Sequence, residues 1–224
     1  FRAIKVGSES SFEIPITEKL MERLYSNRLS ASNSKKEDIT LKIHDHFTGT
    51  EQEVGFSIKS MLGGPSTLLN ASAATNFIYK IMDLDESEIG RINEINTKSK
   101  VRDRLSEILV CGGAFKYEGI ASDIFKKNLR RIDTVLPEIV AHLLLNYYSG
   151  RGSTFTDLIA NIEDNEFNVF DFGLDRSDYE YKIKNLLHNV ALGMVPDTEW
   201  DGRLKVHGGY IIVREDGEIV CYHV

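Results

Sequence analysis

Apolar and polar residues alternate along two short stretches in the first quarter of the chain. Ile39, Leu41 and Ile43 alternate with Thr40, Lys42 and His44; Val54, Phe56 and Ile58 alternate with Gly55, Ser57 and Lys59. A period of two is the mark of half-buried strands. Between them, Phe47-Thr48-Gly49-Thr50 has the glycine and short polar residues of a hairpin loop. Pairing about Thr48 and Gly49 makes opposite positions sum to about 97. Asp38 then faces Lys59, and Ser57 points to the same side. A third strand is predicted over residues 76–82, after a loop rich in glycine and hydroxyl side chains.

Elsewhere the apolar positions follow the helical period. Helices are predicted over 16–28, from an Asp83 or Asp85 cap to about Ile95, and from Val101 to the break at Cys111-Gly112-Gly113. Further helices cover 121–132, 137–148, a short one to Ile162 capped by Thr154 or Thr156, and 178–194, stopped near Pro196. A short strand is expected over 168–172. The chain closes on a second hairpin, 210–214 and 218–223, around Asp216-Gly217. The class is mixed α and β. Without repeats, low-complexity tracts or linkers, residues 1–224 read as one domain with a helical insertion over about 98–195. The start lacks a methionine and the end falls inside a strand pattern, so truncation at both ends is expected.

Composition narrows the function classes. The 224 residues are 42% hydrophobic and 27% charged, and no apolar run approaches the roughly 20 residues of a membrane span. Cys111 and Cys221 form neither a disulfide framework nor a zinc-ligand pattern, which makes a reducing, intracellular setting the default. The net charge is −7, yet residues 98–131 carry nine Lys or Arg against four Asp or Glu. This segment is either a phosphate-facing strip on an acidic body or the solvated faces of two amphipathic helices.

The first hairpin carries the chemistry. A carboxylate at a strand start, Asp38, can hold a hard cation such as Mg²⁺, and Lys59 can steady an attacking water or the charge growing on a phosphoryl group. The alternative is a hairpin with ordinary polar residues on its wet face. In the same register Asp45 falls near Gln52, about 23 Å from Lys59, and belongs elsewhere. His44 and His46 read as a surface turn. SGRGS at 149–153 lacks the lysine and spacing of a phosphate-binding loop, and Asp171-Phe172-Gly173 has no other kinase parts around it. Trp200 reads as a packing residue. The loop GGPSTLLNASAATNF offers Ser66, Thr67, Asn70, Ser72, Thr75 and Asn76 as neutral donors and acceptors for phosphates and base edges, or simply as capping residues.

The segments DITLKIHD, GFSIKS, LGGPSTLLNASAATNFIYKI and DGRLKVHGGYIIVREDGEIVCYH resemble the HpaII-type restriction endonucleases. The resemblance implies the PD-(D/E)xK nuclease fold, a central mixed sheet flanked by helices. It also implies Mg²⁺-dependent hydrolysis of phosphodiester bonds at a short, specific site in double-stranded DNA, CCGG for the HpaII type itself. A prokaryotic, cytoplasmic restriction-modification setting follows, and a homodimer would suit cutting both strands of a palindrome.

Matched to the nuclease motif, the first acid is Asp38, which binds the metal, and the motif lysine is Lys59. The second acid falls on Ser57, a departure: a hydroxyl is a poor Mg²⁺ ligand, and Ser57 more plausibly orients a metal-bound water. Glu18 or Glu22 on the first helix is a candidate for the missing charge. Ser66, Asn70, Ser72, Thr75 and Asn76 are the expected DNA contacts. Two other classes share these features: a DNA-binding protein on a decayed nuclease scaffold, motivated by Ser57, and a nonspecific repair nuclease.

Overall fold

The computed structural model describes residues 37–44, 46–61, 72–162 and 172–222. The predicted helix over 16–28, Glu18 and Glu22 on it, Asp45, Ser66, Thr67, Asn70 and most of the predicted strand over 168–172 lie outside the described residues. The chain divides into two compact units: Phe1–Leu69, Val190–Val195 and Arg203–Val224 form one, and Asn70–Asn189 and Pro196–Gly202 the other.

The first unit contains a four-stranded mixed sheet. Strand β1 (Ile39–His44) pairs antiparallel with β2 (Glu51–Ser60). On its other edge β2 takes β5 (Gly209–Val213) in parallel, Phe56 against Gly209 and Lys59 against Ile212. Strand β6 (Ile219–Tyr222) pairs antiparallel with β5, so the order is β1-β2-β5-β6. Both hairpins read from the sequence are present. The first is in a different register from the one expected. Ile39 faces Phe56 and His44 faces Glu51, so opposite positions sum to 95. The turn lies at His46–Thr48 and not about Thr48 and Gly49, because Gly49 follows it with φ +68, the left-handed conformation that glycine adopts without a Cβ clash. A shift of two preserves which side chains share a face, but it moves Asp38 from Lys59 to Ser57.

The second unit is mostly helical around a two-stranded antiparallel sheet, β3 (Phe77–Met82) with β4 (Ala114–Ile120). Strand β4 was not among the predicted elements, although Phe115 and Tyr117 alternate with Lys116 and Glu118. Six helices follow the predicted pattern closely: α1 (Glu86–Glu94), α2 (Lys100–Val110), α3 (Asp123–Ile132), α4 (Leu136–Tyr148), α5 (Phe155–Ala160) and α6 (Arg176–Leu192). Their starts obey capping chemistry. The Asp85 carboxylate accepts from the Ser87 amide, the Ser122 hydroxyl from the Phe125 amide, and Thr154 and Asp157 cap α5 reciprocally.

Helix α3 shows how sequence becomes packing. Phe125, Asn128 and Leu129, three and four residues apart, are buried along one stripe, while Lys127, Arg130 and Arg131 are exposed. Ile92, Ile108, Phe115 and Leu145 form a buried cluster with Tyr79, Leu84, Leu105 and Leu109 against it. Trp200 is buried, as expected, and its backbone amide donates to Asn128 Oδ1. No described helix is long and apolar enough to cross a membrane.

Candidate active site

Asp38 stands where β1 begins, and three short hydrogen bonds hold it against β2. Its backbone amide donates to the Phe56 carbonyl at 2.8 Å. Its carboxylate then takes over from the backbone ladder: Oδ2 accepts from the Ile58 amide at 2.6 Å and from the Ser57 hydroxyl at 2.9 Å. Hydrogen bonds to an ionised acceptor are short and strong, so the carboxylate is fixed in place. Both bonds fall on Oδ2, and Oδ1 has none among the described residues.

Ser57 is almost completely buried, at 1% exposure. Its proton goes to Asp38, which leaves the lone pairs of its oxygen as acceptors for a water. Lys59, two residues on, projects from the same face of β2 and is half-buried. It has no ion-pair partner among the described residues. The structure therefore brings together Asp38, Ser57 and Lys59, the three residues expected to form the catalytic group, with Ser57 and not Lys59 directly opposite Asp38.

Two further residues join them that sequence reasoning missed. Tyr210 on β5 lies directly opposite Ser57 and so on the same face. Its hydroxyl is buried without a hydrogen-bond partner among the described residues. Burial, and then the negative charge of Asp38, push its pKa up to about 12, so it stays a neutral donor at ordinary pH. The strand pattern of 210–214 was legible, but nothing local shows that β5 lies beside β2. The second residue is Glu37. Strict alternation assigns it to the face of Ile39, but the chain bends at Asp38 and brings Glu37 over Gly55. A Cβ on Gly55 would lie 3.1 Å from Glu37 Cβ, 3.4 Å from its Cγ and 3.2 Å from the Lys205 carbonyl oxygen. Gly55 and Ser57 share a face, and Glu37 Oε2 is buried there with no hydrogen-bond partner among the described residues. The adjacent acids Glu37 and Asp38 were the available signal.

Among the expected DNA contacts, Ser66 and Asn70 fall outside the described residues. Ser72, Thr75 and Asn76 belong to the second unit, around a 3-10 turn (Ala73–Thr75) ahead of β3. The Thr75 hydroxyl accepts from the Ser72 amide and donates to the Ser72 carbonyl, a capping role, while Ser72 and Asn76 are exposed. In the basic segment, Lys127 and Arg131 meet Glu199, Arg130 reaches Glu138, and Arg104 donates to the carbonyls of Asn93 and Ile95. These four cations have intramolecular partners.

The donor set suits a hard divalent cation. Asp38 offers a fixed carboxylate with one oxygen uncommitted, and Glu37 offers a sheltered carboxylate oxygen that lacks a partner. Such ions are held by one or two carboxylates and keep several waters. No cluster of three or more His, Cys, Asp or Glu side chains occurs among the described residues, which excludes an all-protein cage there.

The sequence pattern of the HpaII restriction endonuclease family matches residues 1–224. The chain is 42% identical over 216 residues to "Type II restriction enzyme HpaII" from Haemophilus parainfluenzae, covering 96% of this chain and 59% of that protein. It thus spans about three-fifths of the length of the curated relative that it matches. No solved structure matches it.

Proposed function

The chain belongs to the HpaII restriction endonuclease family, and on that premise we propose that it hydrolyses phosphodiester bonds at a specific site in double-stranded DNA as a Mg²⁺-dependent type II enzyme. The observation that carries the reading is the Asp38 carboxylate, pinned by Ser57 and Ile58, on the same face as a Lys59 that has no acidic partner among the described residues. We read these two as the acid and the lysine of the PD-(D/E)xK pattern.

Asp38, with one oxygen uncommitted, would hold Mg²⁺, which when bound would supply a water of lowered pKa and positive charge to offset the phosphate. Lys59 positions the attacking water and stabilises the charge that grows on the phosphoryl oxygens. Ser57 keeps Asp38 oriented through its hydroxyl and would accept a hydrogen bond from a water of the metal's shell. Tyr210, neutral and unpartnered, is a donor for a phosphate oxygen. Ser66, Asn70, Ser72, Thr75 and Asn76 contact the DNA, and a homodimer cuts the two strands.

Incubation with plasmid DNA and Mg²⁺ tests the reading. Discrete bands are expected. A smear would mean a nonspecific nuclease, and DNA that is retarded but uncut would mean a binding protein on a nuclease scaffold. Asp38→Ala and Lys59→Ala are each expected to lower cleavage by at least about 10³-fold while DNA retardation persists. Full cutting by the Lys59 variant would overturn the assignment.

A further inference from the structure

The neutral Ser57 leaves a charge to be accounted for. A site that holds a dication with a single carboxylate beside a lysine has one negative charge against three positive ones, before the phosphate arrives. The structure offers a second carboxyl group on the adjacent residue, Glu37. Glu37 Oε2 is shielded from solvent and meets no donor, and neither Lys59 nor Lys205 forms an ion pair with it among the described residues.

Its position has a structural cause. The chain bends at Asp38, and Gly55 has no side chain where Glu37 passes. The space that a Cβ at Gly55 would take is bounded by Glu37 and the Lys205 carbonyl, at 3.1 and 3.2 Å. Gly55 is two residues before Ser57 on the same face of β2, the face on which Ser57 holds Asp38. Two carboxylates thus come to one face from consecutive residues. One is held by strong donors through a single oxygen, and the other has none.

We propose that Glu37 is the second carboxylate of the divalent-cation site, in the role that an acid at the position of Ser57 would have. This rests on the reading of Asp38 as a metal-binding residue. Glu37 takes part through the ion or through one of its waters, and the ion supplies the compensation that the protein withholds. Gly55 is then a positioning residue, kept without a side chain so that Glu37 reaches the face.

Calorimetric titration of the full chain with Mg²⁺ in the absence of DNA tests this, with melting temperature of the metal-free protein as a second readout. Glu37→Gln is expected to weaken Mg²⁺ binding by at least about tenfold. The same substitution should leave the metal-free melting temperature unchanged, because Glu37 Oε2 has no hydrogen-bond partner to lose among the described residues. Gly55→Ala should weaken Mg²⁺ binding in the same direction. Unchanged Mg²⁺ affinity in Glu37→Gln, with Asp38→Asn abolishing binding, would overturn the role of Glu37 and leave the Asp38 site standing. No Mg²⁺ binding by the unaltered chain, or no effect of Asp38→Asn, would overturn both. A lower metal-free melting temperature in Glu37→Gln would mark Glu37 as a structural partner and also overturn the proposal.

Discussion

Two half-buried tyrosines distinguish the two units of this protein. Tyr79 on β3 donates its hydroxyl to the Ala141 carbonyl at 2.6 Å, and burial raises its pKa well above the ordinary value. Tyr210 on β5 is raised too, but its buried hydroxyl has no partner among the described residues and Asp38 is one of the charges acting on it. The charged groups around Tyr210 and Asp38 differ from the ion pairs of the second unit, although the first unit also has its own pair, Arg214 with Glu218. In the second unit, Arg91 bridges Glu88 and Glu107, Lys182 meets Asp133, and Lys127 and Arg131 share Glu199. On the sheet of the first unit, Lys59 has no acidic partner among the described residues, and Asp38 has a hydroxyl and an amide but no cation. Matched groups hold a structure together; unmatched groups gathered on one face are what a charged substrate and its ion can complete.

The most severe test of that contrast is Asn128. Its Nδ2 donates to the Thr198 carbonyl at 2.8 Å and its Oδ1 accepts from the Trp200 amide at 3.0 Å, in full burial. Asn128→Ala would orphan both backbone groups, at a cost of about 2–4 kcal/mol in urea unfolding. A loss below about 1 kcal/mol would mean that the second unit does not depend on its matched pairs.

His142 on α4 sharpens the comparison from the other side, because the second unit buries it without charge. Burial lowers its pKa from 6.5 to about 4. Between those values the unfolded chain binds a proton that the folded one does not. The stabilisation is therefore complete above pH 6.5 and is lost progressively as the pH falls towards 4, by up to about 3 kcal/mol. His142→Leu removes this titration, so the two melting temperatures should differ by a constant amount above pH 6.5, and that of the unaltered protein should fall relative to the variant as the pH drops towards 4. Parallel curves would show that His142 titrates normally.

The smallest effect comes from the tyrosines themselves. Tyr79→Phe should cost about 1 kcal/mol by removing the bond to Ala141. Tyr210→Phe should leave thermal stability unchanged while slowing DNA cleavage. Equal losses of stability in the two variants would dissolve the distinction between the two faces.

Much of this was legible along the chain. The alternation around Ile39 and Phe56 marked both strands of the first hairpin, Asp85 and Thr154 were each one of two candidates for a helix start, and Asp216-Gly217 announced the last turn. Asp38, Ser57 and Lys59 were recognisable as one group because the two-residue period survives a register shift of two. The register itself was misread because glycine allowed two turn positions, and Gly49 adopts its positive φ after the bend and not within it. Strand β4 was passed over between two strong helices, despite its own alternation.

Periodicity and capping are properties of neighbours in sequence, so the residues themselves determined where helices and strands form, which face of each is apolar and which side chains carry the chemistry. Only the tertiary structure decided that β5 lies parallel to β2, that Tyr210 comes opposite Ser57, and that a bend places Glu37 over Gly55. Parallel pairing joins residues far apart in the chain, and its energy lies in backbone bonds that any residue can make. No local pattern records that choice, and the close approach at Gly55 depends on an atom that is not there.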